Sequence, residues 1–325
     1  MGIDPVGWGI ISTADINRKV IPGANASEKV SLLAVASRDQ ARAEAYAREW
    51  EIPRAYGSYD ELLADGEVEA VYISLPNTLH CEWSIRAVEA GKHVLCEKPM
   101  SRRAHEVEEA FDVAERAGRL LSEAFMYRHN PQARRLRELL DDGAIGEPRV
   151  VRARFGFALF DTDNIRLRPD VEGGSLMDVG CYCVNGLRLV AGEPELVFGQ
   201  QFVGPSGTDW IFTGSLRFPG DVFGLFDCWT SLPMRDELEV VGSEGSLFLD
   251  DPWHAREPAI EFRRDGRSER VELEQVDSYL LELENVSGAI RGENALLLGR
   301  ADAVGNARAL EALAASTETG HAVRL

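Results

Sequence analysis

The sequence has no metal-ligand spacing. Its five cysteines, Cys81, Cys96, Cys181, Cys183 and Cys228, are odd in number, and Cys181 and Cys183 are too close for a usual zinc pair. Reduced thiols in a cytoplasmic protein are the expectation. His93, His105, His254 and His321 are scattered, so no metal is expected. No apolar run is long enough to span a bilayer, and no basic stretch followed by an apolar run opens the chain, so neither a membrane span nor a signal peptide is expected. Internal repeats and low-complexity tracts are absent as well. Positive charge is in deficit: the formal net charge is -19. Such a surface repels nucleic acid and anionic membrane, which leaves a small molecule as the expected partner.

What is present is an ordinary globular composition, 45% hydrophobic and 27% charged. At 325 residues the chain exceeds the usual size of one core, so two domains are expected. The first third alternates buried strands with helices. Val6–Ile11, Val30–Ala36, Ala70–Leu75, His93–Cys96 and Leu120–Phe125 read as strands. Gln40–Trp50, a short helix opened by the Ser58/Glu61 capping box and reaching Ala64, His80–Ala90 and Ala104–Ala117 read as helices. This order predicts an α/β parallel, doubly wound sheet over residues 1–125, with ligands beyond the carboxyl ends of its strands.

Residues 126–325 read differently. Pro131–Asp141 is helical, Arg149–Phe157 alternates as a strand, and Glu172–Ala191 turns from Gly-rich to helical. Seven strand-like segments follow between Leu196 and Leu273, with a hairpin turn at Asp265-Gly266. Helices over Tyr279–Arg291 and Ala301–Ala315 close the chain. A mostly antiparallel sheet with helices, an α+β domain, is predicted.

The first strand is not followed by the Gly-x-Gly-x-x-Gly of dinucleotide-binding sheets. Ser12-Thr13-Ala14-Asp15-Ile16-Asn17 stands there, with serine and alanine in place of glycine. A tight structural turn and a cofactor turn both fit that pattern. The second strand ends Ala36-Ser37-Arg38, without the acidic residue that holds the ribose of NAD. A serine donor and a guanidinium suit the 2′-phosphate of NADP better, although Asp39 blunts the charge.

Ser58-Tyr59-Asp60-Glu61-Leu62, Leu75-Pro76-Asn77-Thr78-Leu79-His80 and Ala90-Gly91-Lys92-His93-Val94-Leu95-Cys96-Glu97-Lys98-Pro99 occur in order. With them the chain resembles the Gfo/Idh/MocA oxidoreductases over nearly its whole length. Glu123–Arg128 and Gly173–Tyr182 make it most similar to the sugar dehydrogenase and dimeric dihydrodiol dehydrogenase branch. The resemblance implies a Rossmann domain, an open-faced C-terminal sheet that often forms a dimer or higher homo-oligomer, and a cis Lys98–Pro99 bond. It implies NADP as cofactor, with NAD second. Ser12, Thr13, Ala14, Asp15, Ile16, Ser37, Arg38, Leu75, Pro76, Asn77, His80, Glu97 and Lys98 would bind it.

Lys98 ends a buried strand, where a cation stabilises alkoxide character as hydride moves. Tyr182 stands where many relatives carry histidine. On a helix, Asp178 and Tyr182 would project from one face. Tyr182 is expected to exchange the substrate proton, with Lys98 lowering its pKa, and Asp178 to orient hydroxyls or the tyrosine. For each, a core or strand-end role is the bland alternative. Helix capping is the alternative for His80. Arg128 and His129 are weaker candidates for facing substrate, and Trp8 is expected in the core. The implied activity is NADP-dependent oxidation of a sugar or cyclic polyol, an aldose 1-dehydrogenase first, then trans-dihydrodiol dehydrogenase or keto-sugar reductase. A non-enzymatic cofactor-binding regulator and a glycosidase using bound NAD are the rivals. Retention of Lys98, Asp178 and Tyr182 weighs against the first, and Arg38 against the second.

Overall fold

A computed structural model describes residues 4–161 and 163–325. Two compact units emerge. The first takes the chain to Ser101, His105–His129 and Asp277–Val304. The second takes Arg102–Ala104, Asn130–Val276 and Gly305–Leu325.

The first unit is built on β1 (Val6–Ile11), β2 (Val30–Ala36), β3 (Arg54–Tyr56), β4 (Ala70–Ile73), β5 (His93–Glu97) and β6 (Leu121–Ala124), in the order β3-β2-β1-β4-β5-β6. All neighbours run parallel, as the strand–helix alternation predicts. Every residue of β1 is buried, the mark of a strand covered on both faces. α1 (Asn17–Ala26), α2 (Gln40–Glu49), α3 (Tyr59–Leu63), α4 (His80–Glu89) and α5 (Ala104–Ala117) connect the strands. Ser58 caps α3 by accepting the Glu61 amide at 3.2 Å. Glu61 returns to the amide of Gly57, one residue before the cap, rather than to Ser58 itself. The short β3 escapes a periodicity reading because three half-buried residues carry no pattern.

The contact boundary differs from the division at residue 125. After the second sheet the chain returns, and α8 (Ser278–Ile290) belongs to the first unit. The Trp8 indole, 1% exposed, donates to Ser287 Oγ on this helix at 3.0 Å, so Trp8 is core as expected. Gly23 on α1 lets the two helices meet: a Cβ there would stand 2.8 Å from the Leu280 amide nitrogen.

The second unit holds a nine-stranded sheet. Its strands are β7 (Pro148–Ala158), β8 (Leu196–Val203), β9 (Asp209–Phe218), β10 (Val222–Trp229), β11 (Ser231–Gly242), β12 (Gly245–Asp250), β13 (Ala259–Arg264), β14 (Arg267–Glu272) and β15 (Val323–Arg324). The order is β14-β13-β12-β11-β7-β10-β9-β8-β15, antiparallel except where β7 meets β10. At the β13–β14 hairpin both Asp265 and Gly266 take positive φ, as the Asp-Gly turn requires. α6 (Pro131–Asp141), α7 (Cys181–Ala191) and α9 (Arg300–Thr319) are its long helices, α9 starting in the first unit. Alternation along β7 sends Val151, Ala153 and Phe155 inward, while Arg152 and Arg154 point to the open face. There Arg152 pairs with Glu239, and Arg154 with Asp227 and Glu237. Phe202, Phe223 and Leu225 are exposed on this unit as well.

The close approach at Gly23 gives a test. Gly23→Val should destabilise the protein by about 1–3 kcal/mol through overpacking. Gly66→Ala, where an added Cβ meets nothing within 4 Å, should stay within about 0.5 kcal/mol of wild type. Urea denaturation of both variants measures the difference.

Candidate active site

The cofactor turn follows β1. Ser12 has φ 109°, a conformation that normally selects glycine. Its own hydrogen bonds hold it there. Ser12 Oγ donates to the Ser74 carbonyl at 2.9 Å and accepts the Ala14 amide at 3.1 Å. Asn17, fully buried, donates to the Ser12 carbonyl and accepts from Ser74 Oγ at 2.7 Å. A polar cluster thus does what glycine does elsewhere. Ile16 stands at the α1 N-cap without a side-chain cap, leaving that terminus to backbone groups that suit phosphate. Asp15 points outward and pairs with Arg18 at 3.3 Å.

At the end of β2, Ser37 is buried and Arg38 is exposed. Asp39 follows as the helix N-cap. Its carboxylate accepts the Arg42 amide at 2.7 Å and caps α2. Arg42 itself, which the sequence reading missed, donates from Nε to Thr13 Oγ1 at 2.7 Å. Burial pushes the Tyr59 phenol up, while Arg38 and Arg42 beside it pull it back. Two guanidiniums, a serine and a threonine therefore gather at this strand end. Arg42, in the first turn of the helix that Asp39 caps and four residues past Arg38, was the available signal.

Beyond β4, Leu75 and Pro76 are followed by a single turn over Asn77–Leu79. His80 is 1% exposed, with its ring nitrogens 2.8 and 2.7 Å from the Pro99 and Leu75 carbonyl oxygens. Beyond β5, Glu97 accepts from Tyr72 OH at 2.5 Å and from the Lys98 amide at 3.2 Å. Lys98 is half-buried at the strand's carboxyl end, and the Lys98–Pro99 bond is cis. Arg128 pairs with Asp302 at 3.0 Å. Burial and Arg128 hold the His129 imidazole down at about 3, so it is neutral.

In the second unit the Asp178–Tyr182 stretch is not a regular helix. Leu176–Gly180 forms a π-helical turn, and α7 begins only at Cys181. The expected one-face spacing is thereby altered; such turns recur at functional sites. Asp209 anchors the turn by accepting Ser175 Oγ and the Leu176 amide at 2.8 and 2.7 Å. Gly174 makes room for that carboxylate, with φ 125°. Asp178 accepts from Nε of Arg166, in a single turn over Ile165–Leu167, at 3.0 Å; no local pattern points to that arginine. Tyr182 is 7% exposed, with its ring 5.4 Å edge-on from Phe155 and 6.0 Å from Trp253. The aromatic packing fixes the ring.

His254 is not isolated. With Asp236 and Asp251 it forms a group whose candidate ligand atoms lie within 4.8 Å of one another. Arg256 pairs with Asp251 at 2.7 Å, so the group is an ion-pair network. Burial opposes the imidazolium, but hydrogen bonds to Asp236 and Asp251 outweigh it and push His254 up to about 9.

Known proteins agree with this architecture. Residues 6–125 match the model of the oxidoreductase family with an NAD-binding Rossmann fold, GFO_IDH_MocA, and residues 133–248 match the GFO/IDH/MocA C-terminal domain. The chain belongs to the Gfo/Idh/MocA family and is a nicotinamide-dependent oxidoreductase. It is 40% identical to D-xylose 1-dehydrogenase (NADP(+)) 2 of Haloferax volcanii, over 98% of this chain and 99% of that one. It is 36% identical to the mouse trans-1,2-dihydrobenzene-1,2-diol dehydrogenase, over 79% of this chain and 78% of that one. Among solved structures, the 3-ketoreductase KijD10 of Actinomadura kijaniata, in complex with NADP and TDP-benzene, superposes with TM-score 0.90 at 29% identity. That match covers 96% of this chain and 98% of the other.

The His254 network makes stability depend on pH. Its folded pKa is raised above the free value, so its contribution is complete below about pH 6.5 and is lost as pH rises through about 9. Thermal melts from about pH 6 to about pH 10 should show this loss in wild type and a flatter profile in His254→Asn.

Proposed function

We propose that the protein oxidises the anomeric hydroxyl of an aldose, D-xylose first, with NADP as acceptor. The carrying observation is the cationic end of β2. Arg38 and Arg42 converge there, while Asp39 is occupied as a helix cap. A 2′-phosphate matches this set and a bare ribose does not. The NADP dependence named for the Haloferax volcanii relative supports the same reading.

NADP supplies the hydride acceptor at C4 of its nicotinamide. The chain's residues do the rest. Ser12, Thr13, Ala14, Asp15 and Ile16 form the pyrophosphate turn. Leu75, Pro76, Asn77 and Glu97 shape the carboxyl ends of β4 and β5 near the nicotinamide, and His80 supports them. Lys98 holds the reacting oxygen and stabilises its developing negative charge. Tyr182 accepts the hydroxyl proton, and Asp178, itself held by Arg166, orients neighbouring hydroxyls. Dihydrodiols and keto-sugars are the next substrates to try, as relatives with those activities suggest.

Two further parts of the reading concern the assembly and its place. We propose a homodimer through the open face of the nine-stranded sheet, where Phe223 and Leu225 stand 49% and 44% exposed. No helix of the described residues is long and apolar enough to cross a membrane. Five buried free thiols support a reducing, cytoplasmic location.

The test is a panel of aldoses, keto-sugars and dihydrodiols with both cofactors, read by NADPH or NADH absorbance. D-xylose with NADP should be turned over best; no turnover on any aldose contradicts the reading. Lys98→Met should lower kcat by about 10²-fold or more while NADPH still binds. Tyr182→Phe should lower it by about 10²–10⁴-fold. Arg38→Ala should raise KM for NADP about tenfold and leave that for NAD nearly unchanged.

A further inference from the structure

The segment leaving β5 is held residue by residue. The Lys98 amide donates to Glu97 Oε2 at 3.2 Å, and the Met100 amide donates to Oε1 of buried Glu123 at 2.8 Å. Cys81 Sγ donates to the Met100 carbonyl at 3.5 Å, and Ser101 Oγ donates to Glu106 at 2.5 Å. His80, the first residue of α4, stands at the middle of this arrangement. Its Nδ1 is 2.8 Å from the Pro99 carbonyl oxygen, and its Nε2 is 2.7 Å from the Leu75 carbonyl oxygen.

Both ring nitrogens thus face acceptors that cannot donate. A neutral imidazole carries one N–H and one lone pair. Between two carbonyls it would satisfy one and press its lone pair against the other. An imidazolium donates to both, and charge-assisted bonds are the stronger kind. We propose that His80 is held as an imidazolium that ties the end of β4 to the Lys98–Pro99 segment, and so acts as a positioning residue for Lys98. The positioning role rests on Lys98 being the residue that meets the reacting oxygen.

Opposing influences act on the ring. Burial is the largest of them and lowers the ring's pKa from its ordinary value, the carbonyls of Pro99 and Leu75 push it back up, and Lys98 pulls it down further. The charged group that acts on it is Lys98; Glu97 and Glu123 fasten the segment through the Lys98 and Met100 amides, and Glu82 on α4 is exposed. Against that lowering stands the geometry of the two carbonyl contacts. Without the second N–H, two oxygens at 2.7 and 2.8 Å would not both be met by donors, and the ring would turn or withdraw.

Nitrogen NMR of the full chain labelled with ¹⁵N-histidine reads the ring directly. The His80 signals are assigned by their loss in His80→Gln. Both nitrogens should remain protonated from about pH 6 to about pH 8. An unprotonated ring nitrogen at neutral pH overturns the charged clamp. This measurement needs no substrate, so it fails separately from the aldose reading. Positioning is read with D-xylose and NADP. His80→Leu should lose about tenfold or more in kcat, with NADPH Kd changed less than about threefold. His80→Gln, which keeps two N–H donors, should recover much of that loss. Wild-type kcat in His80→Leu overturns the positioning role, as does a loss that follows Tm and is not recovered by glutamine.

Discussion

The backbone after β5 is fixed by a chain of polar contacts on which the rest of the site depends. Lys98 can act on a reacting oxygen only if its Cα is held, because its own side chain is long and flexible. The holding groups are polar, Tyr72 and Glu123 buried and Glu97 half-buried. Tyr72 OH anchors the Glu97 carboxylate, Glu97 accepts the Lys98 amide, and Glu123 accepts the Met100 amide. The Met100 bond is buried and the two at Glu97 are partly so, and where water is excluded losing one partner leaves the other unsatisfied. That asymmetry makes the segment rigid. A loop fastened by apolar contacts alone would have no such directional restraint.

The same economy governs the cofactor turn. Glycine normally allows the positive φ after the first strand and the close approach of phosphate. This chain uses Ser12 instead and meets the conformational cost with bonds to Ser74, Ala14 and Asn17. The arrangement ties the turn to β4, so the ends of β1 and β4 are coupled through Asn17 and Ser74. Charge is handled similarly. The molecule is strongly acidic, yet Asp39 is withdrawn into a helix cap, and Arg38 and Arg42 keep a positive end on β2. Local placement, not net charge, sets which nucleotide suits the site.

Much of this was legible in the sequence. The buried runs of β1, β2, β4 and β5, the Ser58 cap and the Asp265-Gly266 turn follow from local rules, and the structure carries them within a residue or two. The position of Lys98 at a strand end follows from the same pattern. Other features depend on distant pairing. Nothing local says that α8 returns to Trp8 in the first unit. Nothing says that Arg166 reaches Asp178, or that Asp236 and Asp251 raise His254. The π-helical turn under Asp178 escaped because its residues read as ordinary helix formers, and Asp209, thirty residues later in the chain, is what anchors it. The sequence around His80 points to a pocket or cap residue; the two carbonyls at its nitrogens are visible only in the fold.

The central claim is that hydride leaves C1 of an aldose and arrives on C4 of the nicotinamide. Oxidation of D-xylose deuterated at C1, with NADP in water, tests it most directly. The account predicts that the NADPH formed carries the deuterium at C4 and that the deuterated sugar reacts more slowly. NADPH without deuterium, or no NADPH at all, would contradict it.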